Sequence, residues 1–225
     1  MKKTRIVLVF IVLLAISCKQ NNNEIKIEYY ENGKIKKVIH DFKNSANLEI
    51  TFSKEEDLES VGNINKNDMP IGYFCFYTKG NLYHQRQYLI INGKSYVNQF
   101  WNIDPEGNID KNMSNFFSIS SSGDTVLLNN NWTINVFLDC PVFGKRMEVY
   151  FGDYDESYNL RDSTSLRIIK GHNNQVSRTY TFSTTGKKII RGIICDWDKD
   201  SIDSFYNVRV RKQYFTKWVV VVSKL

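Results

Sequence analysis

Asp196, Asp198 and Asp200 stand at alternate positions in Asp196-Trp197-Asp198-Lys199-Asp200-Ser201, a spacing that can aim three carboxylates at one calcium ion. The twelve-residue calcium loop also needs Gly at its sixth position and a bidentate Glu at its twelfth. Here those positions hold Ser201 and Asn207, and Lys199 repels a cation from the middle. A solvated hairpin tip after the apolar run Ile189 to Cys195 accounts for the same residues, and it outweighs the metal reading. His40, His84 and His172 are isolated from one another and from acids at metal-ligand spacing. The sequence has no nucleophile-elbow, phosphate-loop or zinc-protease motif. A catalytic group built from distant residues stays open, because triads are recognised in space. No catalytic residue and no cofactor are expected.

Cys18 points to different chemistry. Lys2, Lys3 and Arg5 form a basic start, Ile6 to Ile16 is unbroken apolar sequence, and Ala15-Ile16-Ser17 leads into the cysteine. That is the basic, apolar, small-residue order of an export signal. Eleven apolar residues are too few to span a bilayer, which takes about 20. The cysteine at the cut site resembles the lipobox of bacterial lipoproteins. The resemblance implies removal of residues 1–17 and acylation of the Cys18 thiol. Ala15 departs from the Leu usual three residues before that cysteine. Residues 18–24 then read as a polar tether, and the closing Ser223-Lys224-Leu225 as a chance match to a peroxisomal address.

Asp124-Thr125-Val126, Asp162-Ser163-Thr164 and Asp200-Ser201-Ile202 resemble the short O-glycosylation sequon of Bacteroidota, which makes Thr125, Ser163 and Ser201 candidate acceptors, all in expected turns. The chain carries 30 basic and 24 acidic residues. Without Lys2, Lys3 and Arg5 the balance falls to 27 against 24, and no basic block with interleaved aromatics suggests a nucleic-acid partner. Beyond Cys18 there remain Cys75, Cys140 and Cys195, each in an apolar strand-like context and read as a buried free thiol.

The elements that would position these residues read as strands. Ile25 to Tyr30 and Lys34 to Ile39 flank Asn32-Gly33, a hairpin signal. Aromatic strand, glycine turn and return strand recur at Gly72 to Tyr83, around Asn92-Gly93, and from Phe100 to Ile109, whereas Lys54 to Asn67 reads as a charged loop or brief helix. Tyr29-Tyr30-Glu31-Asn32-Gly33-Lys34-Ile35-Lys36 resembles the MORN-variant repeat, and Gly72 to Leu82 is similar to a second copy. The resemblance implies a hairpin-repeat sheet. Such repeats occur in bacterial proteins labelled antitoxin-like, but the label does not by itself imply a toxin partner here.

Ser120-Ser121-Ser122-Gly123 is the expected domain linker. After it, seven strand-like runs follow: Trp132 to Leu138, Met147 to Phe151, Leu166 to Ile169, Val176 to Phe182, Lys188 to Cys195, Phe205 to Val210 and Phe215 to Val222. Their number and spacing resemble an immunoglobulin-like sandwich, without the disulfide spacing or tryptophan-centred core of antibody domains. The run Val219 to Val222 loses alternation, which predicts burial on both faces.

The expectation is thus an all-β protein: signal peptide 1–17, tether 18–24, a hairpin-repeat sheet at 25–119 and a sandwich at 123–225. Tyr83, Tyr88, Tyr96 and Trp101 are the candidates for a shared ligand face. The expected role is a non-catalytic module anchored by lipid to the inner or outer membrane of a cell envelope, facing the periplasm or the surface. It would bind a protein or a glycan through sheet edges or loops. An exported immunity protein is the second reading, and a glycan-active hydrolase the third.

Overall fold

The computed structural model describes residues 24–42, 46–199 and 208–223. Cys18 with its signal segment, Asp200, Ser201 and Phe205 to Asn207 lie outside them. The described chain is all-β. Its first eight strands are β1 (Glu24–Tyr29), β2 (Ile35–Asp41), β3 (Asn47–Phe52), β4 (Leu58–Ile64), β5 (Pro70–Thr78), β6 (Asn81–Ile91), β7 (Lys94–Ile103) and β8 (Ile109–Asn115). They pair in chain order into one antiparallel sheet.

One turn geometry builds much of this sheet. The first residue donates its N–H to the carbonyl four residues on and accepts from the N–H three residues on. Tyr30, Ser53, Asn65 and Asp104 each begin such a turn. The residue three on takes positive φ: 80° at Gly33, 69° at Glu56, 55° at Asp68 and 90° at Gly107. Glycine adopts this region without a Cβ penalty. At Glu56 and Asp68 the opening side chain supplies the compensation. The Ser53 hydroxyl accepts from the N–H groups of Glu55 and Asp57, and the Asn65 carbonyl oxygen from those of Asn67 and Met69. The stretch Lys54 to Asn67, expected as loop or helix, is therefore corrected to strand β4 between two turns.

The second part is a sandwich of β9 (Ser118–Ser121), β10 (Thr125–Leu127), β11 (Asn131–Phe137), β12 (Arg146–Tyr154), β13 (Leu160–Lys170), β14 (Gln175–Thr181), β15 (Gly186–Trp197) and β16 (Val210–Val222). One sheet has the order β10-β16-β15-β12-β13 and the other β14-β11-β9. The stretch expected as a linker is where the chain changes sheets. Ser120 and Ser121 pair with Asn135 and Ile134, and two residues past Gly123 the chain runs parallel to β16. The eight-stranded sheet passes into the sandwich between Asn115 and Ser118, ahead of that stretch. A first strand shared between two facing sheets is compatible with the immunoglobulin-like order expected.

Inward rows fill the sandwich. Trp132, Ile134 and Val136 from β11 face Val149 and Phe151 from β12, Ile194 from β15, and Phe215, Val219 and Val221 from β16. Trp132 is fully buried, and its indole N–H donates to the Gly123 carbonyl at 2.6 Å. A tryptophan does centre this core, on β11, against the sequence expectation. Two further corrections concern β16. It is continuous from Val210, where two runs were expected, and its valines alternate: Val219 and Val221 are buried while Val220 and Val222 are half-buried. Cys75, Cys140 and Cys195 are free, with Cys75 only half-buried. Burial pushes the Cys195 thiol up to about 12.

Candidate functional site

The two parts meet where β7 crosses the edge of β16. Gln87 pairs with Gln99 and Tyr88 with Val97, which leaves Asn98 as an extra residue in β7. Such a bulge re-aims a side chain out of the strand's alternation. Asn98 is buried, and its carboxamide reads β16 as a neighbouring strand would. It accepts the Tyr214 N–H at 2.7 Å and donates to the Tyr214 carbonyl at 2.9 Å. Gln87 ties the arrangement together, its carbonyl oxygen accepting from Asn98 at 2.8 Å and from Gln99 at 2.9 Å. Gln99 in turn accepts the Phe117 N–H at 2.9 Å, at the start of the sandwich.

Arg211 is the second clamp. Its guanidinium donates to Asn115 Oδ1, the Tyr96 hydroxyl and the carbonyls of Val97 and Asn98 at 2.5–2.9 Å. Burial pulls its pKa below the usual guanidinium value, opposed by the neighbouring Tyr96 and Tyr214. The Tyr96 hydroxyl in turn donates to the Lys212 carbonyl at 2.5 Å. These bonds match most buried donors and acceptors across the junction and restrict its docking geometry, although the carboxamide of Gln213, buried in β16 between Lys212 and Tyr214, has no partner among the described residues.

Beside this clamp the edge of β16 is open. β10 covers only Val220 to Val222, and Asn98 covers Tyr214. Outward backbone groups in β16 belong to the even positions, since Tyr214 and Val220 both bond outward. Thr216 and Trp218 lie between, and among the described residues no backbone partner takes their outward N–H and C=O. A groove of about 270 Å³ opens beside Thr216, at the end of this stretch nearer Asn98, walled by Leu89, Phe117, Ile119, Tyr158, Tyr214 and Thr216. Tyr158 stands over it at φ 61°, its ring 4.8 Å from that of Tyr214 and its hydroxyl 3.0 Å from the Thr216 hydroxyl. Amides, tyrosines and an unpaired strand edge can hold an extended chain; nothing in the groove resembles a general acid–base pair.

Of the four candidate aromatics, only Tyr96 belongs to this junction. The expected common face is corrected by the register. Tyr88 lies against Phe74, with centroids 5.6 Å apart, on one face of the sheet. Trp101 stacks on Phe116 at 5.8 Å and meets Tyr73 on the other. Tyr83 is exposed at a separate bulge in β6. Alternation had placed all four in strands, but bulges at Tyr83 and Asn98 change which way the residues around them point.

The aspartates of the candidate calcium loop have protein partners. Asp196 is buried and accepts three N–H bonds, from Val142 at 2.6 Å, Phe143 at 2.8 Å and Gly144 at 3.0 Å. Asp198 accepts from Arg209 Nε at 2.9 Å, and that bond holds its carboxyl below the usual carboxylate range. Among the described residues no three metal-ligating side chains converge. Asp200, the third of the set, lies outside them. Thr125 and Ser163 are exposed, as an acceptor must be, but both sit in strands rather than turns. Cys18 and Ser201 lie outside the described residues.

Asn98, Gln99, Asn115 and Arg211 were missed in the sequence. Two amides in succession inside Tyr96-Val97-Asn98-Gln99-Phe100-Trp101 break the period-2 pattern, and that break was the available signal. No family model matches the chain, and no curated protein matches its sequence.

Proposed function

We propose that this protein is a non-catalytic binding module of the cell envelope, carried on a lipid at Cys18, whose groove beside β16 takes an extended segment of a protein partner. The observation that carries this reading is the open edge at Thr216 and Trp218. An unpaired strand edge offers donors and acceptors at the spacing of an extended peptide, so a partner adds as a strand. Each backbone bond so formed contributes roughly 0.5–1.5 kcal/mol net, so affinity must come largely from side chains against Phe117, Ile119 and Tyr158. Asn98 blocks the edge on one side and β10 on the other, which limits the partner to a short segment and gives it a register.

A photo-crosslinker at Leu89, on the groove wall, tests this in intact cells. The expected adduct maps to one protein segment. The same segment as a synthetic peptide should bind the purified protein and protect the Thr216 and Trp218 amides from hydrogen exchange. Thr216→Pro removes the outward N–H and should abolish both effects. An adduct dissolved by glycosidases, or a peptide that binds Thr216→Pro equally well, rejects strand addition. Anchoring is tested separately: Cys18→Ser should release the protein from membranes, and a mutant still membrane-bound after cleavage at the same bond refutes the lipid.

A further inference from the structure

Arg178 occupies an inward position of the sandwich. In β14 the inward row runs from buried Val176 to half-buried Arg178 and Tyr180, and Arg178 pairs across to Ile134, which is fully buried. An arginine there should meet a carboxylate, because an unpaired charge at a core edge is costly. Among the described residues no carboxylate or carbonyl accepts from it. Its guanidinium instead lies over two rings, 4.4 Å from the Tyr180 centroid and 4.9 Å from that of Phe151. Contacts of this kind with ring faces consume no N–H hydrogen bond, so the donors of the guanidinium stay unspent.

Arg178 borders a separate cavity of about 260 Å³, where the β12–β13 register breaks between Phe151 and Asp153. Arg191 lines the same cavity, with one N–H group donated to the Tyr154 carbonyl at 2.9 Å. The Tyr180 hydroxyl also has no hydrogen-bond partner among the described residues. Burial, against the pull of Arg178, pushes its pKa up to about 12, so it remains a donor. Ser165 is already spent, accepting from Asp153 N–H and donating to the Asp162 carbonyl. Among the described residues the one carboxylate on the cavity wall, Asp153, is half-exposed and pairs weakly with Arg161 at 3.9 Å. Two guanidiniums against one outward carboxylate leave the notch with excess positive charge.

We propose that this notch is an oxyanion site, taking the carboxylate or sulfate group of a larger ligand on the free N–H edges of Arg178 and Arg191 and on the Tyr180 hydroxyl. Planar guanidiniums favour such groups because two parallel bonds form at once. The site is independent of the β16 groove, and either can fail without the other.

The test is a titration of the intact protein in detergent with sodium sulfate and, separately, sodium acetate, with sodium chloride holding ionic strength constant. The arginine Nε–H signals are the readout. The Arg178 and Arg191 signals should shift saturably while that of exposed Arg161 does not. Preference for acetate or for sulfate selects the planar or tetrahedral group. Arg178→Lys keeps the charge but loses the fork, and should weaken binding about tenfold with the fold intact. Arg191→Gln is a second variant, and should weaken it too. A linear drift shared with Arg161, saturable binding that survives both variants, or binding removed instead by Lys145→Gln at the other end of the sandwich overturns the proposal.

Discussion

Phe215 lies across Gly192 in the sandwich, and Phe74 lies across Gly62 in the eight-stranded sheet. A Cβ built on either glycine would meet ring carbon, at 2.4 Å in the first case and 2.2 Å in the second. The device is shared, an aromatic ring covering the backbone that a glycine leaves bare, but the surroundings differ. Phe215 is boxed in by Phe151, Phe117 and the facing sheet. Phe74 belongs to no such cluster; its ring neighbours are Phe76 and Tyr88 on its own sheet. The sandwich buries side chains between layers, whereas the sheet buries them sideways, against strand neighbours. Both rings are nonetheless almost fully buried, Phe215 at 3% and Phe74 at 4% exposure, so the same burial is reached in two ways.

The largest effect should come from Trp132→Ala. It removes the centre of the layered core and the bond to Gly123, and should cost about 3–5 kcal/mol by chemical denaturation. Arg211→Ala strips four acceptors of their donor and should cost about 2–3 kcal/mol. Its more telling result would be two unfolding transitions in place of one, read by calorimetry. A single undivided transition would mean that the other junction contacts hold the parts together. Gly192→Ala should destabilise by about 2–3 kcal/mol because Phe215 is boxed in, and Gly62→Ala by about as much because the new Cβ meets Phe74 at Cγ, the root of its ring, at 2.3 Å. A much smaller loss at Gly62 would show that lateral burial yields where layered burial does not.

The smallest effect concerns acid. His84 in β6 contacts Asn102 Oδ1 through Nδ1 at 2.7 Å and accepts from Arg86 Nε through Nε2 at 2.7 Å. Burial, together with Arg86, lowers its pKa below the ordinary imidazole value, against the Asn102 hydrogen bond. A lowered folded-state value means that the unfolded chain takes up the proton first. The stability contributed by neutral His84 is therefore complete above about pH 6.5 and falls as pH drops toward the folded-state value. Protection factors at β6 and β7, taken against the intrinsic exchange rate at each pH, should fall in that window, and His84→Gln should flatten the response. A response confined to the sandwich would place the sensitive group elsewhere.

Turn chemistry shows how much of this fold could be read in advance. Asn92-Gly93 and Lys79-Gly80 both turn with positive φ at two successive residues, and Gly33 and Gly107 fill the left-handed place of the longer turns. Each was marked by its glycine. Glu56, Asp68 and Tyr158 take the same conformation with no such mark. The cue lies three residues earlier, in Ser53, Asn65 and Asp155, whose side chains accept the turn's own N–H groups. The Asp155 turn also aims Tyr158 into the groove, so a feature of the candidate site rests on a turn without a glycine. Asp196 taught the opposite lesson. Alternating acids suggested a cation, yet its carboxylate holds a loop through three backbone donors, and only the fold brings those donors within reach.

The sequence by itself determined the all-β class, because alternation with period 2 and turn residues act over a few neighbours. It also marked the inward rows of β11 and β12, since burial on one face requires every second residue to be apolar. Which edges meet was decided only by the tertiary structure. Asn98 reads Tyr214, 116 residues away in sequence, and Arg211 reaches Val97 across 114. A strand's local pattern specifies its faces but not the partner at its edge. The open stretch at Thr216 and Trp218 exists because β10 and β7 both stop short of it. The unpaired Arg178 exists because the facing strands bring it rings and a cavity instead of a carboxylate.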